Sequence, residues 1–228
     1  ITLNGYANAL VLEQDVKEKA LKIPGVKSAF GTAYLDHVPA VSSRQGIDHI
    51  NLESYDEFLL ESVKDEVVEG DLSDTYGDSD KVMTVYNKDN PLKVGDTVQV
   101  AGKEVTITCS VTGAVFPGER LVICSQETFE RLTGEQGLTM VGVQLGGDAD
   151  DETVRQISEL AGSDVIFSDG RAQTEEINTT YLFIQVGVYG FLAIIGMVSL
   201  FYIISSISIS VAARTKQYGV MRAVGMDS

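Results

Sequence analysis

Basic residues are scarce. The 228-residue chain carries 17 Lys and Arg against 33 Asp and Glu, a formal net charge of −16. An acidic surface repels phosphate backbones and anionic headgroups, so nucleic-acid binding and direct adsorption to anionic lipid are disfavoured. No Lys- or Arg-rich stripe with interleaved aromatics offsets this. Cysteine is scarcer still. There are two, Cys109 and Cys124, with no CxxC and no Cys/His cluster, so the sequence offers no zinc site or other metal site. Both lie in apolar runs, VTITCSV and RLVICS. They could form a disulfide if their strands pair in register, or remain two buried free thiols. The two histidines, His37 and His49, have no sequence neighbours that would complete a ligand set. HExxH, GxSxG and Walker A signatures are all missing, which leaves no motif for a metalloprotease, a serine hydrolase, a nucleotide or another cofactor. Gly95–Lys103 (GDTVQVAGK) has the wrong spacing for a phosphate loop and reads as a hairpin. Asp71, Asp74, Asp78 and Asp80 lack the EF-hand pattern and read as a solvated loop.

What the chain has is one long apolar run. Residues 178–213 contain no charged side chain. About 20 apolar residues cross a hydrocarbon core of roughly 30 Å. A helix of about 36 residues is roughly 54 Å long, enough to span and project beyond. Asp169, Glu175 and Glu176 precede it; Arg214, Lys216 and Arg222 follow. The positive-inside rule puts the arginine end in the cytoplasm and residues 1–177 outside the cell. Within the run, Gly187, Gly190, Ala193 and Gly196 recur at three-residue intervals, small residues that would let a second helix approach. Residues 1–228 read as a fragment of a longer membrane protein.

The soluble part reads as α+β. Ile1–Tyr6 alternates like a strand, Glu13–Leu21 has helical spacing, Ile23-Pro24-Gly25-Val26 breaks it, and Val26–Val41 looks extended. His49–Tyr55 predicts a strand, with Ser54 capping a helix from Tyr55 to Val68. Val82–Tyr86 is a short strand, and Val98 and Val100 pair with Val105 and Ile107 around Ala101-Gly102-Lys103. Arg120–Cys124 predicts a strand and Ser125 a cap for Gln126–Leu132. Thr139–Leu145, Asp151–Leu160 and Asp164–Phe167 repeat the opening strand, helix, strand pattern. The two end units are expected to pair into one mixed, membrane-proximal layer (1–45 and 137–170), with a more β-rich distal subdomain at 46–136.

The tail is the most specific stretch. In ARTKQYGVMRAVGMDS, Val220, Met221, Ala223, Val224 and Met226 supply an apolar surface beside Arg214, Lys216 and Arg222, with Gly219 and Gly225 permitting bends. Such a segment suits docking to a cytosolic partner. The run RTKQYGVMRAVGM resembles the R-x-[KR]-E-[IY]-G-[IV]-x-[RK]-A-[LVI]-G signature of FtsX/MacB-type ABC transporter permeases, departing from it at Gln217. Ile23–Val26 (IPGV) and Lys93–Val98 (KVGDTV) also resemble features of these ectodomains. The resemblance implies an ectodomain (1–177), a second transmembrane or stalk helix (178–213) and the start of a coupling segment (214–228). It places contacts to a separate ABC ATPase subunit at Arg214, Lys216, Tyr218, Gly219, Met221, Arg222 and Gly225. It also implies that hydrolytic residues lie on that partner, and that a second permease copy or half pairs with this one. The same outside-in layout suits a sensor-receptor ectodomain as the alternative. A membrane-anchored surface enzyme would need a catalytic dyad that the motifs do not supply.

Overall fold

The computed structural model describes residues 1–6, 8–88, 90–162 and 164–225, with 172–180 described by their helical backbone alone. In chain order the elements are β1 (Thr2–Asn4), α1 (Asp15–Leu21), β2 (Val26–Thr32), β3 (Tyr34–Ser42), β4 (His49–Tyr55), α2 (Glu57–Ser62), β5 (Val67–Gly70), β6 (Lys81–Val85), β7 (Thr97–Val100), β8 (Lys103–Val111), β9 (Leu121–Ser125), α3 (Gln126–Thr133), β10 (Met140–Leu145), α4 (Asp151–Glu159), β11 (Ile166–Ser168) and α5 (Gly170–Ala223). The chain separates into two compact units, Ile1–Gly170 and Arg171–Ser228. This is an α+β domain followed by one long apolar helix.

The first unit holds two sheets. The two strand, helix, strand units interleave in the order β11-β1-β10-β2. Every neighbouring pair in this sheet is antiparallel, so the layer is a split βαβ arrangement and not the mixed sheet expected. Val16 and Ala20 of α1 and Ile157 of α4 pack on Leu3, Ala29, Val141 and Val143. A capping box starts α4: Thr153 N donates to Asp150 Oδ1 (2.8 Å) and Asp150 N to Thr153 Oγ1 (3.4 Å). These bonds satisfy backbone donors that a helix start leaves open.

The second sheet is inserted between β2 and β10 and is mixed, with parallel pairs β4–β9 and β6–β8. Its order is β5-β8-β6-β9-β4-β3-β7, and β7 pairs again with β8. The ring β7-β8-β6-β9-β4-β3 therefore closes, and β5 sits outside on the remaining edge of β8. Closure removes the exposed edges that would invite strand addition. Ile50, Leu52, Val82, Val98, Val105, Ile107 and Val122 fill the interior with Phe129 and Leu132 of α3. Tyr34, Tyr55, Met83, Val111, Leu121 and Ile123 cover the outside with Leu59 and Leu60 of α2. The turn joining β7 to β8 is Ala101-Gly102, with φ +48° and +78°. Two successive positive φ angles match a tight hairpin to the twist of its strands.

Several boundaries differ from the sequence reading. The helix expected from Tyr55 to Val68 stops at Ser62, and Val67–Gly70 is strand β5. The extended run 26–41 breaks at Ala33, so β3 belongs to the barrel and residues 34–45 leave the small sheet. Asp56, not Ser54, caps α2, its carboxylate accepting Leu59 N at 3.0 Å. Ser54 is buried in β4, where its hydroxyl accepts Ala33 N at 2.8 Å. The helix expected over 178–213 runs unbroken from Gly170 to Ala223.

Candidate functional site: the apolar helix and its basic end

Helix α5 is 54 residues long, roughly 81 Å at 1.5 Å per residue. Tyr181–Ala223 has mean hydropathy 2.2 in its most apolar window, and none of that window is buried. Among the described residues it is the one helix long and apolar enough to cross a membrane. Its side chains are ringed by Tyr, Phe, Ile, Val and Leu, all exposed. A helix that is apolar all round needs an apolar surrounding. Three of its hydroxyls turn inward: Ser199, Ser208 and Thr215 donate to the carbonyls of Ile195, Ile204 and Val211 at 2.8, 2.9 and 2.6 Å. These bonds satisfy the polar groups within the helix, as a lipid-facing surface requires.

Successive residues turn by about 100°, which sorts the tail into faces. Arg214, Tyr218, Met221 and Arg222 share one stripe. Lys216 and Gly219 lie across the helix from it, with Val220 and Ala223. Six of the seven residues expected to contact a partner are thus helical, but only four face one way. Gly219 lies inside the helix and makes no bend. Gly225 does, with φ +85° two residues after Ala223, the last helical residue, the left-handed position where glycine stops a helix. Met226 lies outside the described residues. The row Gly187, Gly190, Ala193, Gly196 loses about 60° per step, so it winds half-way round the helix. Consecutive members share a face; the four do not form one seam. Apart from the helix's own nearby backbone, no atom of the described residues lies within 4 Å of the Cβ position at Gly187, Gly190 or Gly196.

The cysteines do not form a disulfide. Cys109 on β8 and Cys124 on β9 are both free and buried. Strand β6 runs between them, its Met83 opposite both Cys109 and Ile123. Cys124 packs inside the barrel and Cys109 outside it. Two strand spacings are about 9.5 Å, beyond the roughly 7 Å that a disulfide bridges. Burial pushes the Cys109 thiol up to about 11 and raises Cys124 further. The carboxylates of the 71–80 loop are also placed: Asp78 and Asp80 both pair with Arg131 of α3. His37 and His49 stack on each other, centroids 4.8 Å apart, and Arg120 Nη1 lies 2.8 Å from His49 Nε2.

Two acidic residues that drew no notice in the sequence hold important positions. Asp56 lines a cleft of about 450 Å³ between the two sheets, with Lys17, Tyr55 and Gln126. Its Oδ2 accepts Gly31 N of β2 (2.9 Å) and Lys17 Nζ of α1 (2.7 Å) while Oδ1 caps α2. One side chain thus ties both sheets together. Glu53 on β4 is fully buried. Burial raises its carboxyl to about 8, against hydrogen bonds from the Phe116 backbone and the Thr32 hydroxyl that favour the anion. No periodicity marks such residues, because an isolated acid in a strand reads as a solvent-facing position.

With the geometry in place, the likeness to known proteins is informative. The first unit's architecture recurs in the periplasmic region of MacB from Actinobacillus actinomycetemcomitans, with TM-score 0.56, 12% identity, and 78% of this chain and 91% of that one covered. It has the fold of an FtsX/MacB-like periplasmic domain. The extracellular domain of the noncanonic ABC-type transporter YknZ from Gram-positive bacteria shares this MacB-like fold, with TM-score 0.51, 14% identity and coverages of 74% and 99%. No family model matches the chain, and no curated protein matches its sequence.

Proposed function

We propose that this chain is part of an ABC transporter permease whose MacB-like domain lies outside the cell. Helix α5 crosses the lipid membrane, and its basic end enters the cytoplasm, in keeping with Arg214, Lys216 and Arg222 after the charge-free run. The carrying observation is continuity. Strand β11 ends at Ser168, α5 begins at Gly170, and no break occurs before Ala223. An unbroken helix transmits displacement along its axis, so motion at the basic end reaches the sheet that leads into it. On this reading the four-stranded sheet is the membrane-proximal part and the barrel the distal one. The chain supplies no catalysis; ATP is hydrolysed by a separate ATPase subunit, and a second permease copy or half completes the assembly.

The docking stripe is Arg214, Tyr218, Met221 and Arg222, with Gly225 ending it. Lys216 and Gly219, on the other face, serve as membrane anchor and packing positions. The test is co-purification of the tagged native protein in mild detergent. Changing Tyr218 and Met221 together to Ala leaves the cationic anchor intact and should weaken ATPase capture at least tenfold, about 1.4 kcal/mol or more. Lys216→Ala should change it less than threefold. Equal loss in both would remove the one-face assignment. If no ATPase accompanies even the wild type, the permease reading fails and the sensor-receptor reading replaces it.

A further inference from the structure

The segment between β8 and β9, residues 112–120, has no regular structure and lies along the outer face of β4. Three alternate residues of that strand grip it. Val115 N donates to Tyr55 Oη at 3.1 Å, and Phe116 N donates to Glu53 Oε1 at 3.2 Å. A Cβ at Gly118 would come within 2.8 Å of Asn51 Nδ2, so glycine is what lets the segment lie this close. The Phe116 ring stacks on Tyr34, centroids 4.8 Å apart, and Asn51 N donates to Arg120 O at the far end. Glu53 sits at the centre of this strap. Its other oxygen, Oε2, is buried with no hydrogen-bond partner among the described residues.

We propose that the 112–120 strap is a proton-operated cover, held closed over β4 by neutral Glu53 and released when that carboxyl ionises. A buried anion without a cation is costly, and the cost is relieved by admitting water. The remaining walls cannot yield readily. Thr32 on β2, Tyr34 on β3, Tyr55 on β4 and Ile123 on β9 are all fixed in sheet ladders. The titratable groups facing Glu53 are Tyr34 and Tyr55, each raised by burial first, with Glu53 adding to the effect; Cys124 feels the same charge from the inner face of the barrel. None of them supplies a positive charge. Further out, Asp36 bears on Tyr34 and Glu66 on Tyr55, both negative, while Arg131, which bears on Cys124, is paired with Asp78 and Asp80. Arg120, at the strap's end, is engaged with His49. Among the described residues the strap is the one irregular wall, so it is the one that lifts. Opening bares Tyr34, Tyr55 and Glu53 on the outer face of the barrel.

The closed carboxyl titrates near 8 and the solvated one near 4.5. The opening constant therefore rises tenfold per pH unit between those limits and levels off above them. The experiment is hydrogen–deuterium exchange of the full chain in detergent from pH 5 to 8, each rate divided by its intrinsic chemical rate. Protection of the 112–120 peptide should fall about tenfold per pH unit and stay well below that of β9 amides. Glu53→Gln should abolish the slope. Tyr55→Phe removes one strap bond without a titrating group, and should lower protection by a similar factor at every pH with the slope retained. A flat profile in the wild type, a slope surviving in Glu53→Gln, or strap protection equal to that of β9 at every pH would each overturn the proposal.

Discussion

Asp56 holds two sheets with one carboxylate, and its removal can be costed from the bonds it makes. Oδ1 caps α2 through Leu59 N at 3.0 Å; a lost cap costs about 1 kcal/mol. Oδ2 accepts Gly31 N at 2.9 Å in a partly buried setting, and orphaning that donor costs about 1 kcal/mol or more. Lys17 Nζ lies at 2.7 Å, with side-chain exposures of 28% and 12%, so the pair is partly screened and contributes about 1 kcal/mol at most. Asp56→Ala should therefore destabilise by about 3 kcal/mol. In a domain of this size each kcal/mol shifts Tm by about 2–4 °C, so the midpoint should fall by about 6–12 °C. Asp56→Asn keeps a cap but offers one carbonyl in place of two acceptors, and should fall between. Lys17→Met removes only the ion pair and should cost least. Circular dichroism melts of the full chain in detergent read all three. If Lys17→Met costs as much as Asp56→Ala, charge and not backbone satisfaction holds the sheets, and the assignment is wrong. A loss below 1 kcal/mol for Asp56→Ala would refute the three-bond account.

Two further outcomes follow from buried groups. The folded pKa of Glu53 lies above its unfolded value, so its protonated form is favoured by the fold; stability is full below about pH 4.5 and declines as pH rises toward 8. The decline should reach up to about 5 kcal/mol, and Glu53→Gln should flatten it in urea titrations at pH 5 and pH 8. Neither Cys109 nor Cys124 should react with a thiol reagent at pH 8 until denaturant is added, because both thiols are buried and held neutral. Gel mobility should be the same with and without reductant.

Local features of this chain were legible because their causes are local. The absence of charge over 178–213 predicts a long apolar helix. Ser125 caps α3 because a short side chain reaches the backbone three residues on. The Val98 and Val105 alternation around Ala101-Gly102 set the β7–β8 pair in register. Even locally, competition mattered: Asp56 took the cap expected of Ser54, whose hydroxyl is engaged by Ala33 across the sheet.

Apart from the β7–β8 hairpin and the pairing of the two end units, which strands become neighbours lay beyond the sequence. Alternation tells which residues share a face, but not which strand lies alongside, so the barrel's closure through β7 and β8 and the placement of β6 between the cysteines could not be read. The break at Ala33 was hidden because strands in both sheets are apolar there. Glu53 and Asp56 sit three residues apart, and their neighbours do not mark them out. Tertiary structure buries one beneath a strap and makes the other a tie between sheets. The chain alone therefore determined its membrane-length helix, the cap of α3 and the β7–β8 turn, where the deciding forces act within a few residues. Only the fold decided sheet order, the state of the thiols and the environment of these two carboxylates, because those depend on contacts between residues distant in sequence.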